Sequence, residues 1–488
     1  MSAFEYRMAE FCNKYQMDMH GKHTVSTSSN VLQLRHKPTI METVSETVLR
    51  YRYRAYPGHE ETIALSRTFG SCRVIYNDVI ATREYAYSHG LPFPTSGELS
   101  RTLITKAKQS PDRAWLSEVS SVALQQALAD ADTAYKNFFR SRNKVGNNSR
   151  RVGHPKFKSR HDSRQTVRFT ANARFKVEVV HQRQAVITLP KIGRIPFVLS
   201  QPLPSIPSSV TVIREADGRT YLSFVVRVQN EEALKTNCVC GIDQGLSTYA
   251  TVYSVDNFTG DQTDFQIDTP AFLRRKARAL ARSQRSLSRK KKGSKNRAKA
   301  ITRVAVVNRK VREARLDHAH QQTAKMVANH DFIAVEDTPV AAMARTKLAK
   351  SVYDQGVAQF LRLLKEKAER QGKTLVKIDR FFPSTQMCSS CKEITGPKGI
   401  TELRIRHWIC SECGASHNRD INAARNILVE GLRLLAFEQS SMVADGRSET
   451  ENACGADVRP VAILAVDEEA DIDKEAGREC ENQQLCPA

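Results

Sequence analysis

The chain has 488 residues, 40% of them hydrophobic, which is enough to bury a sizeable core and excludes a wholly disordered polymer. Lys and Arg number 75 against 52 Asp and Glu, and the resulting formal charge of +23 suits a polyanionic partner. No stretch is long and apolar enough to span a bilayer and the first residues lack a secretory h-region, so a soluble cytoplasmic protein without membrane partners is expected.

Residues 1–45 mix Ser, Thr, Met, Gln and His without periodicity and read as a disordered extension. Order is expected from Thr47 to Arg54, where apolar and basic residues alternate as in a half-exposed strand that Pro57-Gly58 stops. Over about 57–150 the pattern turns helical. Ile63, Leu65, Phe69, Cys72, Tyr76 and Ile80 recur at helical intervals, and Leu124, Leu128, Ala131, Tyr135 and Phe138 line one face of a second segment. Ser110-Pro111 reads as a helix start between them. A basic, Gly- and Asn-rich stretch, 140–160, has the composition of a linker or a loop facing nucleic acid.

Short strand signals follow at 167–169, 175–179, 185–189, 210–213 and 221–226, which predict a small antiparallel barrel or curved sheet over 151–236. The early strand can join that sheet, with the helical segment inserted between. From Val239 to about 430 strands alternate with long helices, as an α/β domain requires. Within it, Leu273, Leu280 and Leu287 precede a basic run, and Val304, Val307 and Val311 follow, predicting two helices joined by a basic turn. The acidic stretch 436–488 carries no fold signal and reads as a disordered tail.

Three acids stand in similar settings. Asp243 and Glu336 each close a short apolar run of strand type, and Asp420 precedes a segment of good helix propensity. Two strand ends and a helix start can converge, and oxygen ligands of this kind suit Mg²⁺, a pair of which stabilises both oxygens in phosphodiester cleavage. Each acid also has a plain structural reading: Asp420 as a helix cap, Glu336 and Asp337 as a solvated strand end, Asp243 as part of an ordinary turn. The residues alone leave both readings open.

The cysteines are more specific. Of 11, four form Cys388-x-x-Cys391 and Cys410-x-x-Cys413, separated by eighteen residues, within the range of four-cysteine zinc sites. Four thiolates close the coordination shell, so the predicted zinc is structural; His407 and His417 flank it without being needed. The run Arg289, Lys290, Lys291, Lys292, Lys295 and Arg297 has the chemistry of phosphate contact, although such runs also serve as localisation signals or solvated segments. There is no G-x-x-x-x-G-K-[ST] loop, which argues against an NTP-driven machine.

Several motifs, in order, resemble the TnpB family encoded by insertion sequences and long known as OrfB transposases. Gly241-Ile242-Asp243-Gln244-Gly245-Leu246 is similar to its first RuvC motif, Ile333-Ala334-Val335-Glu336-Asp337 to its second, and His417-Asn418-Arg419-Asp420-Ile421-Asn422-Ala423-Ala424-Arg425-Asn426 to its third. The runs Ser288–Ala300, Ala349–Gly356, Arg380–Thr385 and Cys410–Gly414 also match; only Gln244 departs, where the family often has an apolar residue. The resemblance implies a multidomain α+β and α/β protein, with an OB-like β-barrel wedge domain carrying an inserted helical bundle. It further implies an RNase H-like RuvC domain over 237–386 and 416–435, interrupted at 387–415 by a four-cysteine zinc-ribbon insert. It implies Asp243, Glu336 and Asp420 as catalytic ligands of Mg²⁺, and Arg419 beside the basic run as a nucleic-acid contact. The partners implied are a guide RNA from the transposon end and a matching target DNA, a division of labour shared with type V CRISPR nucleases. Two rivals are an RNA-guided regulator that binds without cutting, disfavoured by the three acids, and a transposase performing strand transfer, disfavoured by the lack of an HUH motif.

Overall fold

The computed structural model describes residues 46–143, 151–230, 233–398, 402 and 404–444; the expected N-terminal extension, and the tail beyond 444, lie outside them. The chain divides into two compact units, one built from residues up to 233 with 270–324 and 350–372, the other from 234–269, 325–349 and 373 onward.

The first unit is organised by a seven-stranded sheet in the order β2-β6-β7-β1-β5-β4-β3. The strands are β1 (Glu46–Ala55), β2 (Gln165–Thr170), β3 (Lys176–His181), β4 (Gln184–Leu189), β5 (Gly193–Val198), β6 (Ser209–Arg214) and β7 (Thr220–Gln229). The early strand lies in the middle, antiparallel to β7 along its whole length, so the helical segment is an insertion into the sheet as expected. β2 and β3 remain as edges, and the sheet is a curled half-barrel. β5 is absent from the strand signals because Pro196 sits inside it. Proline has no ladder donor, but just past the end of β1 the Tyr56 N–H donates to the Pro196 carbonyl at 2.8 Å, so the one bond that proline cannot return falls where the β1–β5 pairing ends.

The insertion contains α1 (His59–Ser88) and α2 (Ser121–Asn143), whose apolar faces share one core with the sheet. Leu65, Phe69, Cys72, Tyr76 and Ile80 are buried as the spacing predicts, whereas Ile63 is exposed. Pro111–Glu118 is a 3₁₀ segment. The two basic helices are α3 (Phe272–Ser288) and α4 (Lys295–Asn329). α3 has no side-chain cap of its own and begins after Ala271 at φ +47°. Instead the carboxylate of Asp354, in the short helix Ala349–Gln355, accepts the backbone N–H groups of Leu273 at 2.7 Å and Arg274 at 3.2 Å. On α4, Arg309 bonds Asp217 of the β6–β7 turn at 2.6 Å, and Glu313 accepts from the Tyr221 hydroxyl at 3.1 Å.

The second unit holds a five-stranded sheet, β10-β9-β8-β11-β12. β8 (Cys238–Asp243), β9 (Thr248–Asp256) and β10 (Gln262–Asp268) form an antiparallel meander, while β11 (Phe332–Glu336) and β12 (Thr374–Ile378) lie parallel to β8. This is the RNase H-like arrangement expected from the motifs. Asp331 fastens the strand starts together, accepting from the amides of Thr236 at 2.8 Å and Asn237 at 2.7 Å and pairing with Lys373. Helix α5 (Arg419–Ala444) covers the sheet through Ala424, Ile427 and Leu428, which share a core with Val239, Phe332 and Ala334. It passes the 435/436 boundary at which a disordered tail was expected, because neither Gly nor Pro interrupts Ala436–Ala444.

Candidate functional site

Asp243 and Glu336 are the last residues of two adjacent parallel strands, where Val335 pairs with Ile242. The carboxyl ends of parallel strands are where α/β sheets place their sites. α5 brings Asp420 to the same end because two glycines let it lie close. A Cβ on Gly241 would strike the Ala424 carbonyl oxygen and stand 2.7 Å from the Leu428 nitrogen; one on Gly431 would meet the Ala334 methyl at 2.5 Å.

The three acids feel one another. Burial pushes the Asp243 carboxyl up to about 7, the charges of Glu336 and Asp420 add to this, and Arg419 and Arg406 partly offset it. Burial also raises Glu336 to about 6, helped by Asp337 and opposed by a hydrogen bond from the Ser384 hydroxyl. The plain structural readings lose ground here. Asn418 caps α5, its side chain accepting from the amides of Asp420 at 3.1 Å and Ile421 at 3.3 Å, so Asp420 is not needed as a cap. At the β11 end it is Asp337 that is neutralised, by Lys377 and Arg380, which hold its carboxyl below the usual range. Asp420 receives both oxygens' hydrogen bonds from Arg406, a residue that sequence reasoning missed because nothing local marks it.

The four cysteines assemble as predicted. Sγ atoms of Cys388, Cys391, Cys410 and Cys413 all lie within 4.8 Å of one another, with Cys388–Cys413 at 3.7 Å and Cys391–Cys410 at 3.6 Å. A tetrahedron with bonds of about 2.3 Å has sulfur edges of about 3.8 Å, so the set fits a metal ion of zinc's size and softness. The Thr395 hydroxyl donates to Cys410 Sγ at 3.2 Å and lowers that thiol. His417 stands outside the set, its Nε2 at 3.0 Å from Cys388 Sγ and its ring against Trp408. Among the described residues these cysteines are the group of three or more such side chains drawn within 4.8 Å; the carboxylates are spaced more widely. Their all-oxygen donor set nonetheless fits a hard divalent ion.

Of the basic run, Arg289, Lys290, Lys291, Lys292 and Lys295 are exposed at the α3–α4 turn. Arg297 instead turns its Nη1 onto the carbonyl oxygens of Leu287 at 3.2 Å and Lys290 at 3.1 Å, bracing that turn. α3 adds exposed Arg274, Arg275, Lys276, Arg278, Arg282 and Arg285, and no acid occurs between Asp268 and Glu313. Arg419 is half-buried beside the carboxylates.

Comparison with known proteins agrees with this layout. A family profile described as "Probable transposase" matches residues 223–347, one described as "Cas12f1-like, TNB domain" matches 358–427, and one described as "Helix-turn-helix domain" matches 47–91. In the last region this chain forms β1 and α1, a strand and one long helix. A Streptomyces pristinaespiralis protein named a putative RNA-guided DNA endonuclease is 34% identical over 84% of this chain and 92% of its own length. The Escherichia coli (strain K12) protein InsQ, named likewise, is 28% identical over 81% of this chain and 95% of its own. The fold is similar to that in a cryo-EM structure of a Cas12f1–sgRNA–target DNA complex, with TM-score 0.50 and 12% identity over 78% of this chain and 98% of that one.

Proposed function

The chain belongs to the TnpB/OrfB family of RNA-guided nucleases, and from that premise we propose that it is a transposon-associated, RNA-guided DNA endonuclease with a RuvC-like centre formed by Asp243, Glu336 and Asp420. The observation that carries this reading is the burial of Asp243 against two further carboxylates, whose charges raise its proton affinity. Such a cluster is costly until a cation joins it. Bound Mg²⁺ would supply that charge and polarise the scissile phosphate. The chain's own contribution is to hold the three oxygen donors at one sheet end, with Asp243 releasing its proton as a cation binds and with Arg406 and Arg419 adding positive charge for a phosphate. Zinc is the proposed occupant of the four cysteines, with a structural role. The wedge sheet, its helical insertion and the nuclease domain with its zinc insert are assigned the ranges expected from the motifs.

Guide RNA and target DNA are the proposed partners. The exposed cations of α3 and the α3–α4 turn supply sequence-independent phosphate contacts, leaving sequence reading to base pairing. Among the described residues no helix is long and apolar enough to cross a membrane, and a DNA-cutting role places the protein at the nucleoid. The test is to express the protein with its native flanking DNA, sequence the RNA that co-purifies, and assay Mg²⁺-dependent cleavage of matched DNA. A discrete RNA and cleavage abolished by Asp243→Ala are expected. Bound RNA with no cleavage would convert the reading to a regulator that binds without cutting.

A further inference from the structure

The two metal centres are joined by a pair of buried amides that neither uses as a ligand. Asn422 and Asn426 stand one turn apart on α5, 2% and 1% exposed, and therefore on one face. Both reach the loop that carries the first cysteine. Asn426 Nδ2 donates to the carbonyl oxygens of Ser384 at 2.9 Å and Met387 at 2.7 Å, and Asn422 Nδ2 donates to Met387 at 2.8 Å. In return Asn422 Oδ1 accepts the backbone N–H of Ser389 at 2.9 Å, the residue directly after Cys388. The Ser384–Ser389 segment is thus stitched to the helix at both ends.

Each end of that segment touches a different centre. At one end the Ser384 hydroxyl stands beside the Glu336 carboxyl and lowers its proton affinity, and at the other Cys388 enters the thiolate set. The helix holding the segment carries Asp420 in its first turn, two residues before Asn422. Among the described residues Asn426 Oδ1 meets no hydrogen-bond partner, whereas Nδ2 meets two, so the donors on Nδ2 are what the position uses.

We infer that Asn422 and Asn426 are positioning residues that set Glu336, through Ser384, to the helix bearing Asp420, and tie that setting to the thiolate knuckle at Cys388. The inference rests on the nuclease reading for the role of the carboxylates. Outer-shell partners of this kind typically change metal affinity by about 10–100-fold when removed.

The experiment measures Mn²⁺ affinity by EPR on the full-length protein with its bound RNA, together with zinc content, for wild type, Asn426→Leu, Ser384→Ala, Glu336→Gln and the two pairwise combinations with Glu336→Gln. Asn426→Leu keeps the branched shape at a larger volume and removes both donors. Ser384→Ala removes only the hydroxyl and leaves the carbonyl that the amides hold, so it remains informative should the leucine variant fold poorly. Each single variant is expected to weaken Mn²⁺ about tenfold or more, and to add nothing in the Glu336→Gln background, because the effect runs through Glu336. Unchanged Mn²⁺ affinity in both single variants, or an equal loss with Glu336 already replaced, overturns the inference alone. Absence of Mn²⁺ binding to the unmodified protein overturns it together with the nuclease reading.

Discussion

A single nitrogen of Arg406, Nη1, donates to both carboxylate oxygens of Asp420 at 2.8 Å, while Nη2 of the same guanidinium reaches the Ser247 hydroxyl at 2.6 Å. Both Asp420 oxygens are therefore engaged by a cation that a divalent ion would have to displace or share. Charge-assisted hydrogen bonds contribute roughly 1.5–3 kcal/mol, and the partial solvent exposure of Arg406 favours the low end. Replacing Arg406 by Ala should thus tighten Mn²⁺ binding to the protein without DNA by about tenfold. Titration calorimetry reads this directly, and equal or weaker binding would show that Arg406 does not compete with metal.

The pH dependence follows from Asp243. Its folded carboxyl lies near 7, against 3.8 for the free side chain. Between those values the unfolded chain has released a proton that the folded protein retains. The metal-free fold therefore loses stability as pH rises through that window, by at most about 1.4 kcal/mol per pH unit from this group. Below it the penalty vanishes. Asp243→Asn removes the titration, so without divalent ions its melting temperature should exceed that of wild type at pH 8 and converge with it near pH 4. Mg²⁺ should reverse the order at pH 8, since only the wild type gains a ligand. A constant difference across pH would mean that Asp243 is not the group concerned.

Much of this site was legible in sequence because its parts are local. Asp243 and Glu336 end apolar runs short enough to be strands, and the spacing of Cys388, Cys391, Cys410 and Cys413 is itself a coordination pattern. What stayed hidden depends on long-range partners. Asp354 caps a helix 81 residues away, Arg406 reaches Ser247 across 159, and Asn426 works on Ser384 across 42. No window of periodicity holds such pairs. β5 was hidden for a different reason: Pro196 is a breaker by propensity, tolerated because of where β1 stops.

Gly241 offers a test of how closely α5 must approach the sheet. Its missing side chain leaves room for the helix backbone at Ala424 and Leu428, so Gly241→Ala forces the helix outward. Overpacking of this kind costs about 1–3 kcal/mol, and it would carry Asp420 away from Asp243. Cleavage should fall far more than the stability change explains. Gly218→Ala, in a turn with open space around it though at φ +82°, should cost stability without comparable loss of cleavage. Similar activity losses in the two variants at matched stability would sever the link between helix approach and the carboxylate site.

The α3–α4 turn separates phosphate contact from structural bracing. Lys290, Lys291 and Lys292 are exposed, whereas Arg297 is committed to the Leu287 and Lys290 carbonyls. Each lysine that neutralises an RNA phosphate contributes roughly 0.7–0.9 to the slope of log affinity against log salt concentration. Replacing all three by Ala should therefore reduce that slope by about 2–3 for the co-purified RNA, with little change in melting temperature. Arg297→Ala should do the opposite, lowering melting temperature while leaving the slope within about one unit of wild type. Filter binding across a KCl series measures both variants. A triple lysine variant with an unchanged slope would remove this turn from the RNA interface and leave the phosphate contacts to the exposed arginines of α3.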